Sequence, residues 1–430
     1  MKELVGRVSE ESFSAQKSAY LVGIQYSQSP ISEIEEGLQE LTNLTETAGL
    51  CVKGKTIVKL KKPNPGYLIG KGKTEEIAGV ARDIGVDCIV FNDDLSPAQQ
   101  RNWEQLADIC VIDRTEVILE IFANRAATRE AVLQVELARM EYSLPRLKRA
   151  WTHLSRQKGG TRGTRGEGET QLEMDRRVVL EKIERIKREL QRVKSHRATQ
   201  RKRRRRQTVP TASIVGYTNT GKSSLLNRLT GSGVYVENKL FATLDPTTRS
   251  LRLKNGVDLL LTDTVGFIRN LPHDLVDAFK STLEETVLSD YLIHVLDASD
   301  PRASEHFTIT MSVLRELDAA DKPMVTVFNK IDLCENPIDL TILKNLYPDA
   351  IFVSAKTGEG MDGLVDKLST LIDKSLKTDS FSFPQARYDL VALVYRTGRV
   401  IERSYFDNHI KLFARVPEKT RNLLLKYLSS

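Results

Sequence analysis

The chain has 430 residues, 40% hydrophobic and 28% charged, enough for several domains with their own cores and unlike a chain that is disordered throughout. No apolar run reaches the roughly 18 residues a membrane-spanning helix needs, and the opening MKELVGRVSEESF lacks an apolar signal stretch, so we expect a cytoplasmic protein. Net charge is +7, and the four cysteines, Cys51, Cys88, Cys110 and Cys334, are too scattered for a disulfide framework or a zinc knuckle.

From residue 19 short β-branched runs alternate with amphipathic stretches in the order AYLVGIQYS, SEIEEGLQELTNLTETAG, CVKGKTIVKL, GKTEEIAGVARDIG, DCIVFND, SPAQQRNWEQLAD and ICVID. This βαβαβαβ pattern predicts a parallel sheet covered by helices. The glycine and lysine loop at 64–73 reads as a turn before a helix, and alone it is a weak signal for phosphate.

Two stretches poor in glycine follow, from 116 to about 155 and from about 170 to 206. In the second, Leu172, Val179, Ile183, Ile186, Leu190 and Val193 share one helix seam. We read the pair as a helical hairpin whose tip is the loop at 159–168. There Gly163 and Gly166 free the backbone while Arg162 and Arg165 offer forked donors, which suits RNA. Residues 146–206 hold 22 Lys and Arg against 7 Asp and Glu, the footprint of a polyanion partner. A solvated helix ending in a flexible basic run would carry the same charge, and the same patch admits weak peripheral contact with an anionic membrane.

The run at 211–215 leads into Gly216-Tyr217-Thr218-Asn219-Thr220-Gly221-Lys222-Ser223, followed by Ser224 and an amphipathic helix pattern. Backbone N–H groups of such a loop point at phosphates, Lys222 reaches the β- and γ-oxygens, and Ser223 ligates Mg²⁺. The run VDLLLT then leads into Asp263-Thr264-Val265-Gly266, whose aspartate belongs behind the metal and whose glycine N–H can meet the γ-phosphate. MVTVF leads into Asn329-Lys330-Ile331-Asp332, where a carboxylate accepts two hydrogen bonds from the guanine edge. IFV leads into Ser354-Ala355-Lys356, placed to reach the guanine O6 and cover the base. Thus GTP and GDP are the expected ligands, with Lys222 and Gly266 acting on the γ-phosphate.

These motifs resemble the translation-related P-loop GTPases of the Obg and HflX group, and over nearly the whole chain the HflX family. The segment 64–73, Asp113-Arg114-Thr115, and the run 166–173 followed by Asp175-Arg176-Arg177 carry the narrower likeness, though Glu167 stands where the family usually has proline. The resemblance implies that Phe241-Ala242-Thr243-Leu244-Asp245 is the first switch, with Thr243, ahead of Thr247 and Thr248, closing onto Mg²⁺ and acting on the γ-phosphate. It also implies association of a monomer with the large ribosomal subunit, its rRNA and protein, and splitting or rescue of stalled ribosomes. A GTP-dependent assembly factor without splitting activity is the alternative, and Asp332 argues against an ATP-driven RNA remodelling enzyme.

Phe267 occupies the position where Ras-like enzymes carry a water-orienting Gln, so intrinsic hydrolysis is expected to be slow and stimulated by the ribosome. Arg249 and Arg269 are near in sequence only and are not assigned as arginine fingers. The tail reads as a small antiparallel meander, YDLVALVYR, RVIERSYF and HIKLFARV, closed by a helix. Tyr388, Tyr395 and Phe413 are open to a reading as a face for RNA or protein, but aromatic residues at strand spacing more often belong to the core. The fold class is therefore α/β and multidomain. An N-terminal α/β domain spans 1–115, a basic helical hairpin 116–207, a P-loop GTPase domain with a mixed, mostly parallel sheet 208–375, and a small α+β domain 376–430.

Overall fold

The computed structural model describes residues 17–27, 30–147, 167–205, 209–233, 240–269 and 285–428, and these fall into two units, 17–192 and 193–428. Among the described residues no helix is long and apolar enough to cross a membrane.

In the first unit, β1 (Ser18–Tyr26), α1 (Ile31–Thr47), β2 (Cys51–Leu60), α2 (Lys71–Ile84), β3 (Cys88–Phe91), α3 (Pro97–Ala107) and β4 (Cys110–Asp113) follow in the predicted alternation. The sheet has the order β2-β1-β3-β4 and every pairing is parallel. Helices on both faces explain why β1 is apolar at successive positions rather than alternate ones. A capping box of Ser96 and Gln99 starts α3, which seats Trp103 edge-on against Phe91 at 5.0 Å. Within the glycine and lysine loop, the Asn64 side chain accepts the Gly66 N–H at 2.7 Å and Asn64 exchanges backbone hydrogen bonds with Leu68. It is a turn ahead of α2.

The first stretch poor in glycine is two helices, not one. After α4 (Arg114–Arg125), Ala126 is extended and the Thr128 hydroxyl caps α5 (Arg129–Ser143) by accepting from Ala131 N–H. Pro145 follows just beyond the end of α5. The second stretch is one helix, α6 (Glu167–Arg205). Of its predicted seam, Ile183, Ile186 and Leu190 are buried, and Lys182 and Lys187 pair with Glu136 and Glu141 of α5 at 2.6 and 2.9 Å. Arg162, Gly163, Arg165 and Gly166 lie outside the described residues.

The second unit is built on β5 (Thr211–Gly216), β6 (Thr247–Arg252), β7 (Asp258–Asp263), β8 (Tyr291–Asp297), β9 (Met324–Asn329) and β10 (Ile351–Phe352). Their order is β10-β9-β8-β5-β7-β6, parallel except for the edge strand β6. The helices α7 (Lys222–Thr230), α8 (Ala303–Glu316), α9 (Pro337–Leu346) and α10 (Met361–Ser375) follow strands in turn. Leu225 and Leu226 of α7 and Leu364 and Leu368 of α10 cover one face, while Leu314 of α8 covers the other. The chain leaves β5 toward β7 on one side and toward β8 on the other, so β5 ends at the topological switch point, where open α/β sheets place their ligands.

The tail departs from the predicted meander. Residues of YDLVALVYR form α11 (Tyr388–Thr397), and the third strand is instead β11 (Lys377–Pro384), beside β13 (His409–Val416) and β12 (Arg399–Phe406), with α12 (Glu418–Leu428) closing the unit. The buried residues Leu390, Val391 and Val394 recur at helical spacing and pack on the sheet, so the 3.6 period prevailed over β-propensity. Tyr388, Tyr395 and Phe413 are exposed rather than core, at 55%, 40% and 41%.

Candidate nucleotide site

At the end of β5 the chain turns sharply, and two glycines make the turn possible. Gly216 has φ near +148°, and a Cβ there would stand 2.1 Å from the Val295 carbonyl oxygen on β8. Gly221 has φ near +87°, and its Cβ would meet Asn329 Nδ2 at 2.3 Å. Between them Asn219 is also left-handed, and the Thr220 hydroxyl donates to the Tyr217 carbonyl at 3.0 Å. Thr218 is buried and its hydroxyl has no partner, while its N–H donates to the Phe267 carbonyl at 2.8 Å. Lys222, at the first position of α7, is 7% exposed and donates to the Tyr217 carbonyl at 2.7 Å. Burial pushes its pKa down to about 8, partly offset by Asp263 and reinforced by Lys330. A buried ammonium bonded only to a neutral carbonyl is poised for an anion.

Three loops meet beside that lysine. The Ser223 hydroxyl lies 2.8 Å from that of Thr243 and donates to Asp263 Oδ2 at 2.6 Å, and Thr243 donates to the same oxygen at 3.0 Å. Asp263 is fully buried, and its Oδ1 has no hydrogen-bond partner. Burial raises its pKa, against the hydroxyl bonds and Lys222, which lower it. A desolvated carboxylate with two hydroxyls is a hard-oxygen set that fits Mg²⁺, with phosphates and water completing the shell. Among the described residues there is no cluster of three His, Cys, Asp or Glu side chains that could cage a metal alone. Thr247 and Thr248 lie instead on the edge strand, Thr248 facing Thr262 at 2.9 Å.

Other predicted residues on these loops have structural partners. Phe241, left-handed at φ 53°, and Leu244 are buried, whereas Ala242 and Asp245 are half-buried. The Thr264 hydroxyl donates back to the Ile214 carbonyl at 2.6 Å, and Val265 is buried. A Cβ on Gly266 would fall 2.8 Å from Lys222 Nζ and 2.7 Å from Thr218 Cα, so its backbone lies against the loop after β5 with no room for a side chain. Phe267 exchanges backbone hydrogen bonds with that loop, but its ring packs among Val215, Leu292, Leu314 and Leu317. Ser224 is half-buried on the first turn of α7.

At the ends of β9 and β10, Asn329 is a bracket: Nδ2 donates to the Thr220 carbonyl at 2.9 Å, and Oδ1 accepts from Ala355 N–H at 2.9 Å. Asp332 Oδ1 accepts from the Ser354 hydroxyl at 2.6 Å, and Lys356 is exposed beside it. Lys330 is left-handed and pairs with Asp297 at 2.7 Å. The sequence reading missed Asp297, although it is one more acid at a strand end. It also missed His306, whose ring stacks on Tyr217 with centroids 3.9 Å apart, and for that contact the sequence carries no signal. Arg269 is held by Glu305 through an ion pair and by its N–H to the Tyr217 hydroxyl at 2.8 Å, and Arg249 is exposed on β6. His294, buried on β8, is pushed down to about 3 by burial and then by Lys222, so it is a neutral neighbour of the loop.

Three family models match successive stretches of the chain: one described as GTP-binding GTPase N-terminal over residues 35–123, one as GTP-binding GTPase Middle Region over 125–204, and one as 50S ribosome-binding GTPase over 211–330. A protein of Akkermansia muciniphila named GTPase HflX is 48% identical over 422 residues, 96% of this chain and 97% of its own. GTPase HflX of Escherichia coli is 42% identical over 410 residues, 94% of this chain and 95% of its own. Among solved structures, a GTP-binding protein from Sulfolobus solfataricus in complex with GDP is 27% identical, spans 83% of this chain and 98% of its own, and has a TM-score of 0.45.

Proposed function

The chain belongs to the HflX family of GTPases and hydrolyses GTP, and from that premise we propose that it engages the large ribosomal subunit while GTP is bound and separates stalled ribosomes. The observation that carries this reading is the meeting of Ser223, Thr243 and Asp263, which joins a switch loop to the loop that holds the phosphates. Charge supports an RNA-rich partner: 22 Lys and Arg against 7 Asp and Glu over 146–206 follow a polyanion. The description of the model matched at 211–330, 50S ribosome-binding GTPase, agrees with that partner.

In this reading Lys222 and the backbone N–H groups of 219–223 bind the β- and γ-phosphates, and Gly266 gives its N–H to the γ-phosphate. Ser223 and Thr243 would hold Mg²⁺ with Asp263 behind them, and that ion neutralises phosphate charge when bound. Asp332 takes the guanine edge and Lys356 covers the base. Water attacks the γ-phosphorus in line as the bond to the bridging oxygen breaks, so GDP leaves with that oxygen and the γ-group leaves as inorganic phosphate. Because the Phe267 ring is sunk in the core, no side chain at that position orients the water. Turnover is therefore slow in the isolated protein and rises when the partner orders the switch loops.

The test is sedimentation with a non-hydrolysable GTP analogue. Purified protein should travel with large subunits only when the analogue is present, and should convert 70S particles to subunits in a gradient. Binding without conversion would move the reading to an assembly factor, and nucleotide-independent or absent binding would sink it.

A further inference from the structure

The sheet of the tail packs on one side only. Phe381, Phe383, Ile410, Leu412, Ala414 and Val416 point to α11 and α12 and are buried there. The other side of such a sheet should be polar and wet. Its register places Phe413 in the middle of the central strand, opposite Ser380 on β11 and Glu402 on β12, and Phe406 at the end of β12 opposite His409. Phe413 is 41% and Phe406 73% exposed. Neither ring serves the core, and each forgoes about the stabilisation that a buried phenylalanine brings.

Cations flank the rings on the same face. Register sets Lys411 one position from Phe413 toward His409, opposite Ser382 and Ser404, and sets Arg415 one position the other way, opposite Arg399. All three basic side chains are exposed and none is ion-paired among the described residues. Glu402 is the one acid of the face among the paired positions of β12 and β13. Residues 377–428 carry 10 Lys and Arg against 5 Asp and Glu. Along the strands the two rings are four residues apart, about 14 Å, which leaves room for a short run of nucleotides.

We propose that this open face is a second nucleic-acid surface, one that stacks unpaired RNA bases on Phe413 and Phe406 while Lys411, Arg415 and Arg399 hold the adjoining phosphates. The chemistry selects the ligand. Rings interleaved with cations and hydroxyls match the alternation of base and phosphate in a single strand. An apolar protein partner would ask for a contiguous apolar patch, and an acidic peptide would leave the rings unused. The proposal rests on the reading that the partner is RNA-rich, and it adds a surface distinct from the basic arm of 146–206.

The experiment titrates full-length protein into a fluorescein-labelled single-stranded RNA 12-mer and reads anisotropy at several salt concentrations, with GDP affinity as the check on folding. Phe413→Ala and Phe413→Leu should each raise the RNA Kd roughly tenfold, and Phe413→Trp should restore it. Lys411→Ala with Arg415→Ala should reduce the slope of log affinity against log salt by about 1.4. Equal affinity for Phe413→Leu and the natural protein would overturn stacking. If the sheet variants bind like the natural protein while Arg162→Ala with Arg165→Ala binds weakly, the proposal fails and the RNA-partner reading stands. No RNA binding by the natural protein would defeat both. Unchanged RNA affinity with lost subunit co-sedimentation in Phe413→Ala would assign the face to a protein instead.

Discussion

Two segments of this chain set glycines beside lysines at the start of a helix, and only one has the geometry from which a phosphate site is proposed. At the start of α2, Gly70 and Gly72 meet no neighbour that a Cβ would touch, and Lys71 and Lys73 point outward to Glu75 and Glu76. Before α7, Gly216 and Gly221 are left-handed and crowded by β8 and Asn329, and Lys222 is drawn inside. The difference lies in what precedes each loop. The phosphate loop leaves a central strand at the switch point, whereas the other follows β2, an edge strand, after ten residues of turn. Glycine spacing permits a cradle, and packing of the loop against neighbouring strand ends makes one.

The largest break in that comparison comes from alanine at equivalent glycines. Gly216→Ala forces a left-handed residue against a carbonyl of the β5 and β8 ladder, which cannot retreat without losing the pairing. It should cost the second unit at least about 3 kcal/mol in urea unfolding and abolish GDP binding. Gly70→Ala, at φ −68° with open space around it, should change stability by less than about 0.5 kcal/mol. Next come the lysines. Lys222→Ala removes charge-assisted bonds to phosphate and should weaken a fluorescent GDP analogue by roughly 100-fold, about 3 kcal/mol. Lys71→Ala, whose side chain is 72% exposed, should leave that affinity unchanged.

A pH titration sharpens the same contrast. Burial holds the Lys222 ammonium at about 8 in the protein without nucleotide, well below its ordinary 10.5. Phosphate oxygens favour the charged form, so the bound-state pKa lies higher than the free one. Below pH 8 the lysine is protonated in both states and affinity is flat with respect to it. Above pH 8 the free protein is neutral at this site and must take up a proton on binding, so affinity falls, about tenfold per pH unit, until the bound-state pKa is reached. Calorimetry at pH 8.5 in buffers of different ionisation enthalpy should register that proton, and the uptake should vanish in Lys222→Met.

The four strand-end motifs were legible in the sequence because each needs a fixed residue at a fixed backbone position. Lys222, Ser223 and Asp263, read from two of those motifs, lie within hydrogen-bond range of one another or beside it, and Thr243, read from the family resemblance, bonds to Ser223 and Asp263. The parallel order of the first sheet was legible for a similar reason, since helices between strands enforce it. What failed were segments where two periods compete. Residues 388–397 hold enough Leu, Val and Tyr to read as a strand, and only the surface of the tail's sheet decides that Val391 and Val394 share a helical face. The break at 126–128 hid because alanines there suit a helix, while Thr128 ends it by capping the next. Contacts such as Tyr217 on His306 join residues 89 positions apart with no local rule to announce them.

A smaller effect than at Gly216 or Lys222 is expected at Phe267, where the phosphate loop and the core meet in one residue. Its backbone is bonded to Gly216 and Thr218, so a substitution acts through those bonds only if the main chain moves. Its ring is 2% exposed among aliphatic residues. Phe267→Leu keeps an apolar side chain of smaller volume and should cost about 1 kcal/mol of stability, with intrinsic GTP turnover altered less than threefold. Phe267→Gln should not create a faster enzyme, because the amide would be carried into the same pocket rather than toward the γ-phosphate, and the buried polar group should lower stability by about 2 kcal/mol. Single-turnover hydrolysis beside thermal unfolding separates the two roles. A large rate change in Phe267→Leu with little loss of stability would place the ring in the chemistry and remove the reason given for slow hydrolysis.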